Sequence, residues 1–237
     1  SDYVLNLIIA SDDPRDKTTA YVQSGAVDGA IVVSHHTSDT FIDRIATSVP
    51  VVYGGRPSRA RENDYYVDVD NTAGAYLATK YLIDKGFRRI AHVSGPVSMP
   101  AGIDRLAGFH AALSNAGMVP VAVEDGNFTA DGGSAAMARI LESAASFDAL
   151  FIASDLMARG ALAVLGRAGI RVPTDVAIIG FDDSPVATAV QPNLTTVRQP
   201  SHQQGQQMAE VLLRLLAGGT PEHVTVLDTE LVVRASA

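Results

Sequence analysis

The sequence predicts an α/β protein of two lobes, each a parallel sheet between helices. Three observations lead there. Short Val- and Ile-rich runs alternate with longer amphipathic stretches along the whole chain, the pattern of strand–helix–strand units with sheets covered on both faces. The runs are too many for one small sheet. No low-complexity tract or long linker divides the 237 residues, so the lobes must be joined by short crossings, the chain passing between them more than once.

The predicted strands are the apolar runs at 4–10, 30–33, 51–53, 90–93, 150–153 and 176–179, too short for helices. Between them lie helical patterns. Asn71 is placed to cap a helix carrying Leu77, Tyr81 and Leu82 and stopped by Gly86. Leu106, Phe109, Leu113 and Ala116 share one helical face, which ends at Gly117. Asp155 is placed to cap a helix through Ala161, Val164 and Leu165 to Gly169. A last helix carries Met208, Val211, Leu212 and Leu215 and closes at Gly218-Gly219. In folds of this kind ligands collect at the carboxyl ends of the strands.

Composition narrows the function. With 47% hydrophobic and 19% charged residues the chain reads as an ordinary globular protein. It has no cysteine, which excludes disulfides, thiolate zinc sites and a cysteine nucleophile. Its net charge of -8 repels phosphate backbones, so this chain alone is not expected to bind DNA. No apolar stretch is long enough for a bilayer, and Ser1-Asp2-Tyr3 does not begin a signal peptide, so a cytoplasmic location without membrane partners is expected. There is no G-x-G-x-x-G, Walker loop, G-x-S-x-G or metal-type histidine pair, so neither an enzyme, a cofactor nor a metal is expected.

Several motifs occur in a telling order. Val67-Asp68-Val69-Asp70-Asn71 is followed by Gly86-Phe87-Arg88-Arg89-Ile90, Gly95-Pro96 and Arg105-Leu106-Ala107-Gly108-Phe109. Then come Gly126-Asn127-Phe128-Thr129, Ala153-Ser154-Asp155-Leu156-Met157-Ala158, Val172-Pro173-Thr174-Asp175-Val176 and Ile179-Gly180-Phe181-Asp182-Asp183. Pro192-Asn193-Leu194-Thr195-Thr196-Val197-Arg198-Gln199-Pro200 and the final Leu231-Val232-Val233-Arg234-Ala235-Ser236 complete the series. Together they resemble the effector-binding domain of LacI/GalR-type bacterial regulators, which has the fold of type I periplasmic binding proteins. The resemblance implies three crossovers, with 1–69 and 198–218 in an N-terminal lobe and 70–197 and 219–237 in a C-terminal lobe. It implies a small-molecule effector, in most relatives a carbohydrate, held in an interlobe cleft. It also implies a homodimer, and operator DNA bound only through a headpiece that this chain does not contain. Measured against that template, a first strand–helix unit ahead of residue 4 is missing. Gly54-Gly55-Arg56 lacks the aspartate that many members carry before the arginine.

A sugar is gripped by carboxylates that accept hydroxyl protons, by a forked guanidinium and by an aromatic ring under its C–H face. Asp182 follows a predicted strand, and the resemblance makes it a ligand carboxylate; capping a turn is the alternative. Arg105 is read as opening a helix, where its charge opposes the macrodipole, so a ligand or else an ion pair with Asp104 or Glu124 must account for it. Phe128, in a polar glycine-containing loop, is either a stacking platform or a lid over the core. Ser154 matches a ligand-contacting position of the family, Asp155 is a ligand contact or a helix cap, and Phe181 lines the cleft wall. In the N-terminal lobe Ser34, His35 and His36 follow one strand and Tyr53 and Arg56 another, with His35, Tyr53 and Arg56 as candidate ligand contacts. Two readings compete with the regulator: a periplasmic sugar receptor of a transporter, which shares the fold, and a doubly wound enzyme.

Overall fold

The computed structural model describes residues 3–9, 17–34, 36, 41–143 and 145–237. The chain divides into two compact units: unit 1 comprises 1–67 and 205–225, and unit 2 comprises 68–204 and 226–237.

In unit 1 a parallel run of β1 (Ala30–Val33), β2 (Val51–Gly54) and β3 (Tyr65–Val69) is extended by β9 (Val224–Leu227), in the order β1-β2-β3-β9. α1 (Lys17–Gln23) and α2 (Phe41–Ala46) bury Val22, Ile42 and Ile45 against Val51 and Tyr53. α8 (Ser201–Leu216) covers this sheet through Met208 and Leu212, which sit so close to Gly54 and Gly29 that a Cβ at either glycine would collide with them.

The run 4–9 is the clearest correction. It forms no strand, and Val4, Leu5, Leu7 and Ile9 are each more than 80% exposed. The physical reason is that a parallel strand needs a hydrogen-bonded neighbour and a cover on its faces, and this run has neither in the sheet described. Residue 10 lies outside the described residues.

Unit 2 carries a six-stranded sheet in the order β10-β8-β7-β6-β4-β5. β4 (Ile90–Ser94), β5 (Ala122–Asp125), β6 (Ala149–Ile152), β7 (Ala177–Asp182) and β8 (Thr195–Arg198) are parallel, and β10 (Glu230–Val232) closes the edge antiparallel to β8. Strand alternation sorts side chains to two cores. Leu150, Ile152 and Ile178 face α5 (Ala130–Glu142) and α6 (Asp155–Arg167). Phe151, Ile179 and Phe181 face α3 (Asn71–Asp84) and α4 (Pro100–Asn115). α7 (Val186–Ala189) is a single turn between β7 and β8.

Helix boundaries revise three expectations. Asp70, not Asn71, caps α3, its side chain accepting from the Ala73 N–H. Ser154, not Asp155, caps α6 by accepting from the Met157 N–H. α4 starts at Pro100, which is suited to a first helical position, so Arg105 lies in the second turn and not at the start. α3 buries Gly74, Ala75 and Ala78 and leaves Leu77 39% exposed, because it lies against α4 at a distance only small residues allow. A Cβ on Gly108 would stand 2.2 Å from the Thr72 carbonyl oxygen.

Candidate functional site

β4 is hydrogen-bonded to β5 on one side and β6 on the other, so the strand order reverses there. The carboxyl ends of β4 to β8 and the loops beyond them therefore form the place where an open α/β sheet offers a ligand site. Unit 2 gathers there Arg105, Phe128, Ser154, Asp155, Phe181 and Asp182 from the sequence-level candidates, and adds Asn71 and Gln199.

Arg105 is the centre. Its side chain reaches from α4 into the sheet end and is only 6% exposed. Nε donates to Asn71 Oδ1 at 2.8 Å, and Nη1 donates to the Ala153 carbonyl at 2.6 Å and to Asp182 Oδ1 at 3.2 Å. One face of the guanidinium lies on Phe181, 3.7 Å from carbon to ring centre. Burial lowers the arginine's pKa, and Asp182, Asp68 and Asp155 counter that by favouring its charge. Among the described residues only Nε and Nη1 of the fork donate hydrogen bonds. Of the ion-pair alternatives Glu124 is taken by Arg139 at 2.6 Å, and the ion pair of Arg105 is with Asp182.

Asp182 ends β7. Its Oδ1 accepts from Arg105 and also from Gln199 Nε2 at 2.6 Å. The carboxylate is 29% exposed, so it is anchored yet reachable. Burial pushes its pKa up, while Arg105 and Gln199 pull it back towards the charged form. Asp183, beside it, is structural: it accepts from Arg198 Nε at 2.7 Å and Arg234 Nη2 at 2.5 Å, which hold its carboxyl below the usual range against the opposing effect of burial.

Phe128 sits in a turn with Asn127, both at φ 50°, and its ring lies over Gly95, where any Cβ would strike it. The Arg105 guanidinium carbon stands 5.4 Å from that ring's centre. Phe128 is half-buried and flanks the arginine.

Other candidates change role. Phe181 is fully buried beneath Arg105 and supports the guanidinium. Asp155 is fully buried and its oxygens are occupied: Oδ1 by the Thr196 hydroxyl at 2.6 Å, and Oδ2 by the Ser184 N–H at 2.8 Å and hydroxyl at 3.2 Å. It does not cap α6, and it ties the β6 end to the turn after β7. Ser154 Oγ accepts the Met157 N–H at the start of α6, and the residue is 4% exposed.

The remaining candidates belong to unit 1. Tyr53 is buried in that unit's core, and burial, with Asp64 and Asp43 nearby, pushes its hydroxyl up to about 12. Arg56 is half-buried and partnered. Ser34 and His36 follow β1, while His35 lies outside the described residues.

Sequence reading missed Asn71 as an arginine ligand, Gln199 as the second donor to Asp182, and buried Asp68, whose Oδ1 accepts from Asn71 Nδ2 at 3.2 Å. The runs Asp68–Asn71 and Arg198-Gln199-Pro200 carried a signal only as parts of motifs.

Comparison with known proteins places this geometry. Residues 79–237 match the family described as periplasmic binding protein-like domain. The chain is 44% identical over 227 residues to the HTH-type transcriptional regulator CelR of Thermobifida fusca, covering 94% of this chain and 67% of that protein. It resembles the solved CelR–cellobiose complex with a TM-score of 0.91 at 43% identity, covering 96% of this chain and 71% of that one. A LacI family transcriptional regulator from Mycobacterium smegmatis superposes with a TM-score of 0.89 at 32% identity, over 100% of this chain and 88% of the other. The HTH-type transcriptional repressor CytR of Escherichia coli is 37% identical over 176 residues, 72% of this chain; the match spans about half (51%) of CytR.

Proposed function

This chain belongs to the LacI family of transcriptional regulators, and we propose that its unit 2 receives a small polyhydroxylated effector, a sugar, whose binding is read out as altered affinity for operator DNA. The observation that carries the reading is the Arg105–Asp182 pair at the strand ends, with one arginine nitrogen unused and the carboxylate part-exposed. The carboxylate accepts hydroxyl protons, Nη2 donates to a ring or hydroxyl oxygen, and Phe128 lies under a C–H face. Ser154 keeps its hydroxyl proton free to join them. Charge-assisted bonds of this kind contribute about 1.5–3 kcal/mol each.

The site is read as binding without turnover: Asp182 is tied to an arginine, and Asp155 and the Thr196 hydroxyl that it holds are both fully buried. The acting protein is proposed to work as a cytoplasmic homodimer, because palindromic half-sites call for two-fold symmetry. Contact with DNA falls to a headpiece outside this chain, whose own charge is -8. Effector and operator then weaken or strengthen each other by the same factor. The likeness to a cellobiose-bound regulator makes a β-linked glucose disaccharide the first ligand to try. The rival reading as a transport receptor is less favoured, since these relatives are regulators.

A thermal-shift screen with cellobiose, glucose, ribose and free nucleobases tests the proposal. A sugar at a hundredfold excess over Kd stabilises the fold by about 2.7 kcal/mol, a shift of several degrees. A response to nucleobases alone would overturn the sugar reading.

A further inference from the structure

The turn after β7 places the ligand-facing carboxylate in a conformation that has to be held. Asp182 has φ 114° and Asp183 φ 53°, both in the left-handed region that side chains seldom adopt. Two fasteners hold it. Asp183 is fixed by Arg198 and Arg234. On the other side Ser184 is fixed by Asp155, which accepts both its N–H and its hydroxyl. Asp155 is itself set by the Thr196 hydroxyl on β8 and lies so close to β7 that a Cβ on Gly180 would come 2.4 Å from Oδ1.

We propose that Asp155 is a positioning residue for Asp182, that its ionised form fastens the turn, and that protonation of Asp155 weakens ligand binding. The inference rests on the sugar reading of the site and adds a proton-dependent control to it. The charged groups that face Asp155 are Asp182, at the end of β7, which opposes its charge, and Arg105, on α4, whose charge it supports. Thr196 and Ser184 donate hydrogen bonds that favour the ionised form. Burial outweighs them and pushes the carboxyl from 3.8 up to about 6. The group therefore changes state in a range where sugars and arginines do not titrate.

Two effects give the same sign. A charged acceptor holds Ser184 more strongly than a neutral carboxyl does. A ligand that donates hydroxyl protons to Asp182 softens the negative potential at Asp155, so binding favours loss of the Asp155 proton, and by linkage low pH disfavours binding.

Two readouts decide the matter. In amide spectra of the ligand-free protein the Ser184 N–H should titrate with a midpoint near pH 6. Asp155→Asn, which keeps an acceptor of the same shape, should abolish that titration. Thr196→Val, which removes a donor to the carboxylate, should move it to higher pH. Calorimetry with cellobiose should show the parent weakening about fivefold or more from pH 7.5 to 5, with Asp155→Asn nearly flat. A Ser184 amide insensitive to pH overturns the clamp. An equal fall in Asp155→Asn assigns the effect to Asp182 and overturns the coupling. If neither cellobiose nor any other sugar of the panel binds at pH 7.5, the sugar reading and the coupling to ligand fall together. The Ser184 titration still decides the clamp on its own.

Discussion

The Arg105 guanidinium lies flat on Phe181, 3.7 Å from the ring centre, and that stack fixes the direction in which its fork points. Phe181 is fully buried. Phe181→Leu should nonetheless weaken sugar binding several-fold, and should destabilise the fold by about 2 kcal/mol through the lost cation–π contact and packing. Urea unfolding and calorimetry on the same variant measure both. Unchanged affinity would show that the stack does not orient the arginine.

Arg105→Lys keeps the charge and loses the fork. A lysine's single nitrogen cannot take both donor positions, Nε toward Asn71 and Nη1 toward Ala153 and Asp182, nor lie flat on a ring. Sugar affinity should fall at least about tenfold, in line with one charge-assisted hydrogen bond. Retention of parental affinity would mean that only the positive charge matters.

Two buried groups give opposite pH dependences of stability. His92 is sealed between Phe109 and Phe151, its Nδ1 bonded to the Phe151 carbonyl, and burial pushes it from 6.5 down to about 3. As pH falls from 6.5 the unfolded chain takes up that proton before the folded one, so stability drops, by up to about 1.4 kcal/mol per pH unit. Asp155 is raised to about 6, so as pH falls from there to 3.8 the folded protein takes up its proton first and stability is gained. The two oppose each other between about pH 6 and 4. Asp155→Asn should therefore show a steeper acid loss than the parent in urea titrations at pH 7, 6, 5 and 4, and His92→Gln a shallower one. Equal slopes in all three proteins would contradict this pairing.

Two glycines should respond in opposite directions. Gly108→Ala pushes a methyl to 2.2 Å from the Thr72 carbonyl and should destabilise by about 1–3 kcal/mol. Gly166→Ala, in α6 with nothing within 4 Å, should stabilise by about 0.5–1 kcal/mol. Melting temperatures of the two variants check the close approach of α3 and α4.

Much of the fold was legible because apolar runs mark covered parallel strands. Residues 30–33 were placed to the residue, and 51–53, 90–93, 150–153 and 176–179 within a few residues of their ends. The run 4–9 failed because hydrophobicity states a need for cover and not its supply. Helix starts were misjudged wherever two capping residues stand side by side, at Asp70-Asn71 and Ser154-Asp155. Only the helix's phase settles which one caps. That same phase freed Asn71 and Asp155 for tertiary bonds that spacing cannot reveal, Asn71 to Arg105 at a separation of 34 residues and Asp155 to Thr196 at 41. Gln199 was missed for the same reason, since its partner stands 17 residues away. Asp182 and Arg105 were singled out as strand-end and out-of-place charges, and the structure joins them directly.

Calorimetric titration of cellobiose into the parent and Asp182→Asn, at pH 7.5, tests the account at its centre. Asparagine keeps the shape and the Gln199 contact but gives up the charge that would receive ligand hydroxyls. The parent should bind one equivalent of sugar, and the variant should bind at least about tenfold more weakly while remaining folded. Equal affinity in the two proteins would contradict the assignment of Asp182 as the carboxylate that holds the ligand.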